Sequence, residues 1–362
     1  MGPATQTGSY RPSASLILAA KEDSLRDYDY RLLLIKRTER TSYALNHCVF
    51  PGGVFDSQED ESPEWIKYFK SFGVTDEHLR KLTHKQDTPR PQFLNADKHF
   101  SRDIALRLTA LRETFEEVGI LICTNQNSFK NWDSKLDHPC TLLLEPSERS
   151  EWQHRVHNNA SQFLELYRYL NVIPNLWSLQ EWSIWRTAAT ANRKYDTVYY
   201  VTTLDKKAEE VSLLLEPHEV ASAHWMSPAE AWTSSQDGTI WLPFMLLYDI
   251  ARLMNLNRWQ ELLNFSRERS SRGTTMIQPV YFRCDDCMFG VLPGDELYPK
   301  DPGACTQSII LPGSVNEIHQ KAQQYNRYIV YDFHQVVLAS NVPPNDGHLP
   351  LQPLVNTKLS KL

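Results

Sequence analysis

"LRETFEEVGI", residues 111 to 120, puts three glutamates at the end of what its pattern predicts to be one helix. At about 100° per residue, Ile104, Leu108, Leu111, Phe115 and Val118 fall on one side, and Glu113, Glu116 and Glu117 fall on the other. The helix is expected over 103–118, stopped by Gly119. Acids on a helix face usually form a solvated stripe. Two details count against that reading. Glu113 and Glu117 stand at i and i+4, a like-charge spacing that costs roughly a few tenths of a kcal/mol. Glu116 and Glu117 also occupy the last turn, where the negative end of the helix dipole disfavours carboxylates. Arg112 offsets one charge at most. A divalent cation resolves the conflict, because oxygen ligands suit Mg²⁺, which keeps waters for a phosphate substrate.

Working outward, "SASLILAA" (13–20) and "YRLLLIKR" (30–37) read as strands, apolar on both faces as in a covered sheet. "CVFPGGVFD" (48–56) reads as a strand end that breaks at Pro51-Gly52-Gly53. Residues 57–102 are polar and irregular, with one amphipathic piece at "SPEWIKYFKSFG". "ILIC" continues the acidic helix as a short strand. Residues 124–180 form a second polar block, with a helical pattern over "SERSEWQHRVHNNASQFLELYRYL". "YDTVYYVTTL" (195–204) is a strand by its β-branched and aromatic content. Residues 218–232 read as a strand, a turn at Ser227-Pro228 and a helix start. Residues 241–255 read as an apolar helix with Pro243 in its first turn. Residues 278–298 form a hairpin turning at Asp285-Asp286, and 327–340 supply a further strand or hairpin.

"FPGGVFDSQEDE" (50–61) and "RETFEEVGI" (112–120) together resemble the Nudix box, G-x5-E-x7-R-E-u-x-E-E-x-G-u with u apolar. Arg112, Glu113, Glu116, Glu117, Gly119 and Ile120 keep its spacing, with Phe115 one place from the usual apolar position and Thr114 in it. Gly53 and Glu59 match the first half. Residues 60–111 stand where the motif has seven, an insertion of about 45 residues, so Asp56, Asp60 and Glu61 rival Glu59 for the first acid. The resemblance implies a Nudix fold of the α/β (α+β) class: a mixed sheet between helices. The expected layout is a hydrolase domain over 1–270, with insertions at 60–102 and 124–180, then an α/β extension over 271–362. It further implies Glu113, Glu116, Glu117 and Glu59 as metal-binding acids for Mg²⁺ or Mn²⁺. Arg112 would orient a carboxylate, and Gly53 would let the backbone pass close to the helix.

A second resemblance concerns substrate. "LLIKRT…FPGG", Leu33–Thr38 with Phe50–Gly53, is similar to the element upstream of the Nudix box in coenzyme A diphosphatases. Ser42, Asn46 and Ile35 depart from it. The layout resembles the peroxisomal coenzyme A diphosphatases of the Nudix motif-nineteen group, through "SASLILAA", the split box, "WRT…NRKYDTVYYV", "IWLPF", "LLPGDELY" and the final S-K-L. This implies metal-dependent hydrolysis of coenzyme A or acyl-coenzyme A to 3′,5′-ADP and a phosphopantetheine product. Arg37, Gly52, Gly53, Arg186 and Arg193 become substrate-binding candidates. Glu219, before "VASAHWMSP", is a possible base or extra ligand. The rivals are a Nudix hydrolase of NADH or a nucleotide sugar, and a non-catalytic module that binds acyl-coenzyme A.

The bulk numbers agree. The net charge of −6 gives no global attraction for nucleic acid or anionic membrane, so an anionic ligand needs a local basic pocket. No apolar run is long enough to cross a membrane, and the N-terminus does not read as a secretory signal. Six irregularly spaced cysteines suggest free thiols in a reducing compartment. Cys284 and Cys287 have metal-ligand spacing but no second pair, so thiols are expected. The terminal Ser360, Lys361 and Leu362 read as a peroxisomal address, and an import receptor is the expected partner.

Overall fold

The computed structural model describes residues 9–23, 27–40, 46–83, 88, 90–95, 99–125, 140–142, 144–332 and 334–352. Ser42 and the terminal Ser360, Lys361 and Leu362 lie outside them. The strands in chain order are β1 (Arg11–Lys21), β2 (Tyr30–Arg37), β3 (Cys48–Val49), β4 (Gly52–Val54), β5 (Leu121–Thr124), β6 (Cys140–Leu142), β7 (Ile173–Pro174), β8 (Gln180–Arg186), β9 (Tyr195–Lys207), β10 (Val220–Met226), β11 (Met276–Ile277), β12 (Val280–Arg283), β13 (Met288–Val291), β14 (Ile309–Ile310), β15 (Asn326–Val330) and β16 (Val336–Ser340). The helices are α1 (Pro63–Ser71), α2 (Asp76–Thr83), α3 (Arg102–Val118), α4 (Pro146–Asn158), α5 (Gln162–Leu170), α6 (Pro228–Gln236), α7 (Phe244–Leu253), α8 (Trp259–Ser270) and α9 (Val315–Lys321).

The main sheet runs β10-β2-β1-β9-β8-β11 and is mixed: β1 and β9 are parallel, β1 and β2 antiparallel. Near one end β3 pairs with β2 and β4 pairs with β1, which splays the two long strands apart. The apolar run in β1 feeds two cores because its side chains alternate. Ala14, Leu16, Leu18 and Ala20 join the core under α1 to α5. Ile17 and Ala19 join the one under α7 and α8. The sheet is therefore covered on both faces, as its sequence required. A second sheet, β14-β12-β13-β15-β16, packs its own core and reaches the second one, where Tyr328 stacks on Phe244 at 4.1 Å between ring centroids.

The polar blocks are more ordered than their patterns suggested. Residues 57–102 carry α1 and α2, which bury Trp65, Phe69, Leu79 and Leu82. The second helix escapes pattern reading because only Leu79 and Leu82 point inward from a charged octet. The stretch 146–170 breaks into two helices at Asn159, whose extended backbone ends the first of them. β5, β6 and β7 form a small antiparallel sheet beside them. The hairpin expected at 278–298 is β12 and β13, and that at 327–340 is β15 and β16. Among the described residues no helix is long and apolar enough to cross a membrane.

Candidate active site

Helix α3 begins with Ser101 accepting from the amide of Asp103 and ends at Gly119, whose φ of 70° is left-handed. Glycine adopts that conformation without steric cost. The five apolar side chains of its expected inner face are buried. The opposite face is not a solvated stripe: Glu116 is 8% exposed and Glu117 2%. The acids lie under the β3–β4 turn and a loop at 211–216. Gln153 Nε2, from α4, donates to the carbonyls of Phe115, Glu116 and Leu214, each at 2.8–3.1 Å. The amides of Leu214 and Glu216 bond the carbonyls of Val118 and Glu117. The last turn of α3 is therefore capped by protein and not by water.

Arg112 organises the cluster. Its Nε and Nη2 hold Asp60 as a bidentate pair at 2.9 Å, and its Nη1 donates to Glu113 and Glu116 at 2.8 Å each. Nη2 also reaches the Val54 carbonyl at 3.2 Å. Gly52 and Gly53 lie directly over the acids. The Gly52 amide donates to Glu117 Oε2 at 2.8 Å. A Cβ on Gly53 would sit 2.3 Å from Glu113 Oε2. His157 Nδ1 lies 3.5 Å from Glu116 Oε2.

One arginine does not balance this many acids. Burial raises the Glu113 carboxyl to about 7, against the pull of Arg112 and with Glu116 adding to the rise. Burial also pushes Glu117 well above the usual carboxylate range, with the Glu113 charge adding to it and the Gly52 amide opposing. Arg37 lowers and Glu219 raises the same carboxyl, so both stand within electrostatic reach of Glu117. β10 brings Glu219 there, where its carbonyl accepts from the amide of Thr38.

This donor set is oxygen-only and short of positive charge, which fits a hard divalent cation. The fit needs side-chain rotation. Among the described residues the group of three whose ligand atoms lie within 4.8 Å of one another is Cys284, Asp286 and Cys287. The glutamates are not so converged, because Glu113 and Glu116 are drawn onto Arg112 while Glu117 is drawn onto Gly52.

Two expected site residues have neighbours outside the acidic trio. Glu59 is partly exposed, and burial, then Asp56 and Asp60, raise its carboxyl. Asp56 Oδ1 accepts the amides of Gln58 and Glu59 in a tight turn, which aims Asp60 at the helix. There Asp60 bonds Arg112 and also accepts from Thr109 Oγ1 at 2.8 Å. Arg186 holds Asp196 in a bidentate pair through Nε and Nη2 at 2.7 and 2.8 Å and lies over the Tyr10 ring, with its side chain 27% exposed. Arg193 is exposed, just before β9. Spacing in the sequence carried no signal for Gln153 or His157, which arrive from a different polar block.

The family model described as the NUDT19 Nudix domain matches residues 10–253, and that described as the NUDT19 C-terminal domain matches residues 281–341. The chain is similar to a Xenopus laevis protein named acyl-coenzyme A diphosphatase NUDT19, at 31% identity over 333 residues, covering 89% of this chain and 86% of that one. It is similar to a Gallus gallus protein of the same name at 29% identity, covering 97% of each. A Nudix hydrolase structure from Alicyclobacillus acidocaldarius shares the fold, with a TM-score of 0.50 and 18% identity over 71% of this chain and 96% of that one. With its split motif folded around one acidic helix, the chain belongs to the NUDT19 family of Nudix hydrolases.

Proposed function

We propose that this chain hydrolyses the diphosphate bond of coenzyme A and acyl-coenzyme A, releasing 3′,5′-ADP and 4′-phosphopantetheine or its acyl form, with Mg²⁺ or Mn²⁺ as cofactor. The observation that carries the reading is the undercompensated trio of Glu113, partly buried, and Glu116 and Glu117, buried, beneath the Gly52-Gly53 backbone. The names of the full-length relatives support the choice of substrate.

The three glutamates would hold the divalent ions, which neutralise charge on the diphosphate and activate water for attack on phosphorus. Arg112 fixes the rotamers of Glu113 and Glu116 while anchoring the 56–61 turn through Asp60. Gly52 and Gly53 bring backbone against the acids, an approach that a side chain at either position would obstruct. Arg37 supplies positive charge beside Glu117, where an anionic substrate would otherwise meet only carboxylates. Glu219 stands on the other side of that charge balance and is the candidate base or further ligand. Arg193 is exposed and is the remaining basic candidate for the 3′-phosphate.

The S-K-L terminus supports a peroxisomal location, reached through the import receptor. The test of activity is release of 3′,5′-ADP from coenzyme A by purified protein with Mg²⁺ or Mn²⁺. Cleavage of NADH or a nucleotide sugar in its place would move the substrate assignment. Binding of acyl-coenzyme A without metal-dependent turnover would make the chain a binding module. A fluorescent fusion with and without residues 360–362 tests the location, and an unchanged distribution would count against it.

A further inference from the structure

A second cavity, of about 270 Å³, lies on the other side of the main sheet from the acid cluster, between α7, α8 and the C-terminal segment 340–351. Two arginines line it, Arg252 and Arg269, with a single carboxylate, Asp346. Both arginines are buried, at 6% and 2% exposure.

Among the described residues the nearest carboxylate to either guanidinium stands at 3.9 Å. Arg252 reaches no nearer than 3.9 Å to Asp249 Oδ1, and its buried Nε has no hydrogen-bond partner. Its other neighbour is the face of Tyr248, 4.7 Å from the ring centroid, which attracts a cation without neutralising it. Asp249 is a weak counterion. Its Oδ2 is taken by Ser183 and Trp185, and burial raises its carboxyl. Arg269 donates only to neutral acceptors: the Glu181 and Gly273 carbonyls and Thr274 Oγ1. Its own Nε is unpartnered. The one lining acid, Asp346, already accepts from Thr88 Oγ1 and from the amide and hydroxyl of Thr275.

The field of this pair registers on the groups around it. Arg269 is pushed down to about 10 by burial, against the pull of Glu181, with Arg252 adding to the fall. His348, which also lines the cavity, is held neutral by burial and then by Arg252 and Arg269. Its Nδ1 accepts from the Leu349 amide at 2.7 Å, so the proton sits on Nε2.

Two desolvated cations with so weak a counterion between them are costly unless something anionic joins them. We infer that this cavity is a binding site for a small oxyanion, a carboxylate or a phosphate monoester, held by Arg252 and Arg269. Guanidinium forks suit the planar or tetrahedral oxygens of either group. The volume falls short of that of a drug-sized ligand site, so an intact dinucleotide-like substrate does not fit. The site is separate from the acid cluster and does not depend on the reaction proposed there.

The test is thermal unfolding and calorimetry of the full chain and of Arg252→Met, in buffer free of oxyanions, with inorganic phosphate or acetate added at constant ionic strength against chloride. The wild type is expected to gain several degrees with at least one of the two probes. Phosphate alone assigns a phosphate ester, acetate alone a carboxylate, and both together the shared oxyanion chemistry. Arg252→Met should not respond, and without oxyanion it should unfold at or above the wild-type temperature, because a buried charge has been replaced by a side chain of similar length. Arg252→Lys, which keeps the charge without the fork, should respond more weakly than wild type. The inference is overturned if neither probe exceeds chloride, if Arg252→Met responds equally, or if Arg252→Met fails to fold or is clearly destabilised without oxyanion.

Discussion

Gly53 and Glu113 are so close that a Cβ on the glycine would lie 2.3 Å from Oε2 of the acid. The clash is with the far end of a flexible side chain, which can swing away. Gly53→Ala should therefore fold, losing about 1 kcal/mol or less, while Glu113 leaves the position set by Arg112. Gly52 is different. Its φ is 155°, and a Cβ there would lie 2.4 Å from the Ala14 carbonyl oxygen, which is backbone of the central strand and cannot yield. Gly52→Ala should destabilise by roughly 2–4 kcal/mol. Urea unfolding together with metal-dependent turnover separates the two: Gly53→Ala moves its midpoint little and loses about 10-fold or more in kcat, on the order of the cost of one misplaced group, whereas Gly52→Ala moves the midpoint well down. Equal stability losses in the two variants would contradict the geometry.

Glu117 lies under the Gly52 amide, and its burial raises its carboxyl well above the usual carboxylate range. Gln has the same shape, and its carbonyl oxygen can keep the amide bond. Glu117→Gln should melt within about 2 °C of wild type in EDTA, a surface-like effect for a nearly isosteric change. It should lose most turnover and the rise in Tm on adding Mg²⁺ or Mn²⁺. Wild-type rates in this variant would remove Glu117 from the metal site.

Much of this architecture could be read from residues alone, and the parts that could not have physical reasons. The double-sided apolar run 13–20 required a covered sheet, and the inner face of α3 was fixed by its helical period. The repulsive spacing of Glu113 and Glu117 pointed to a cation among the acids and not to a solvated stripe. What was hidden depended on local turn geometry or long-range packing. Asp56 caps the turn that presents Asp60, and no spacing rule distinguishes Asp60 from its neighbour Glu59. Asp196 claims Arg186 across the β8–β9 register, a pairing that exists only once the two strands are side by side. Gln153, from a block that looked merely polar, closes the end of α3.

The acids also set how stability should vary with pH. Burial raises the folded pKa of Glu113 to about 7, above its ordinary 4.5, and raises Glu117 in the same direction. Between those values the folded state binds more protons than the unfolded one. Stability is then highest at low pH within this window and falls as pH rises from about 4.5 towards 7. For the metal-free protein the loss should be on the order of 2 kcal/mol. A bound divalent cation favours the ionised acids, so saturating Mg²⁺ should flatten or reverse the slope over the same range. Comparing denaturant midpoints at pH 5 and pH 7, with EDTA and with Mg²⁺, isolates the effect, because groups outside the site contribute equally to both series. Parallel pH profiles would mean that the cluster does not bind metal.

The turn at 56–61 makes a last distinction. Asp60 accepts two bonds from Arg112 and one from Thr109, whereas Glu59 lies outside the cluster. Asp60→Asn keeps the shape but removes the charge that anchors Arg112, so Glu113 and Glu116 lose their fixed partner. Removing one member of a buried ion pair costs roughly 3–5 kcal/mol when the other charge is stranded. Here Glu113 and Glu116 remain to take up Arg112, so the expected loss is smaller, about 1–3 kcal/mol. The larger effect should fall on kcat, by 10-fold or more, on the order seen when a supporting partner of a metal ligand is removed, with KM for substrate nearly unchanged because no substrate contact is lost. Glu59→Gln should stay within about twofold of wild type in both constants and within about 0.5 kcal/mol in stability, as for a surface substitution. Steady-state kinetics of the two variants decide the matter: a severe loss in Glu59→Gln with a silent Asp60→Asn would place the first acid of the motif at Glu59 after all.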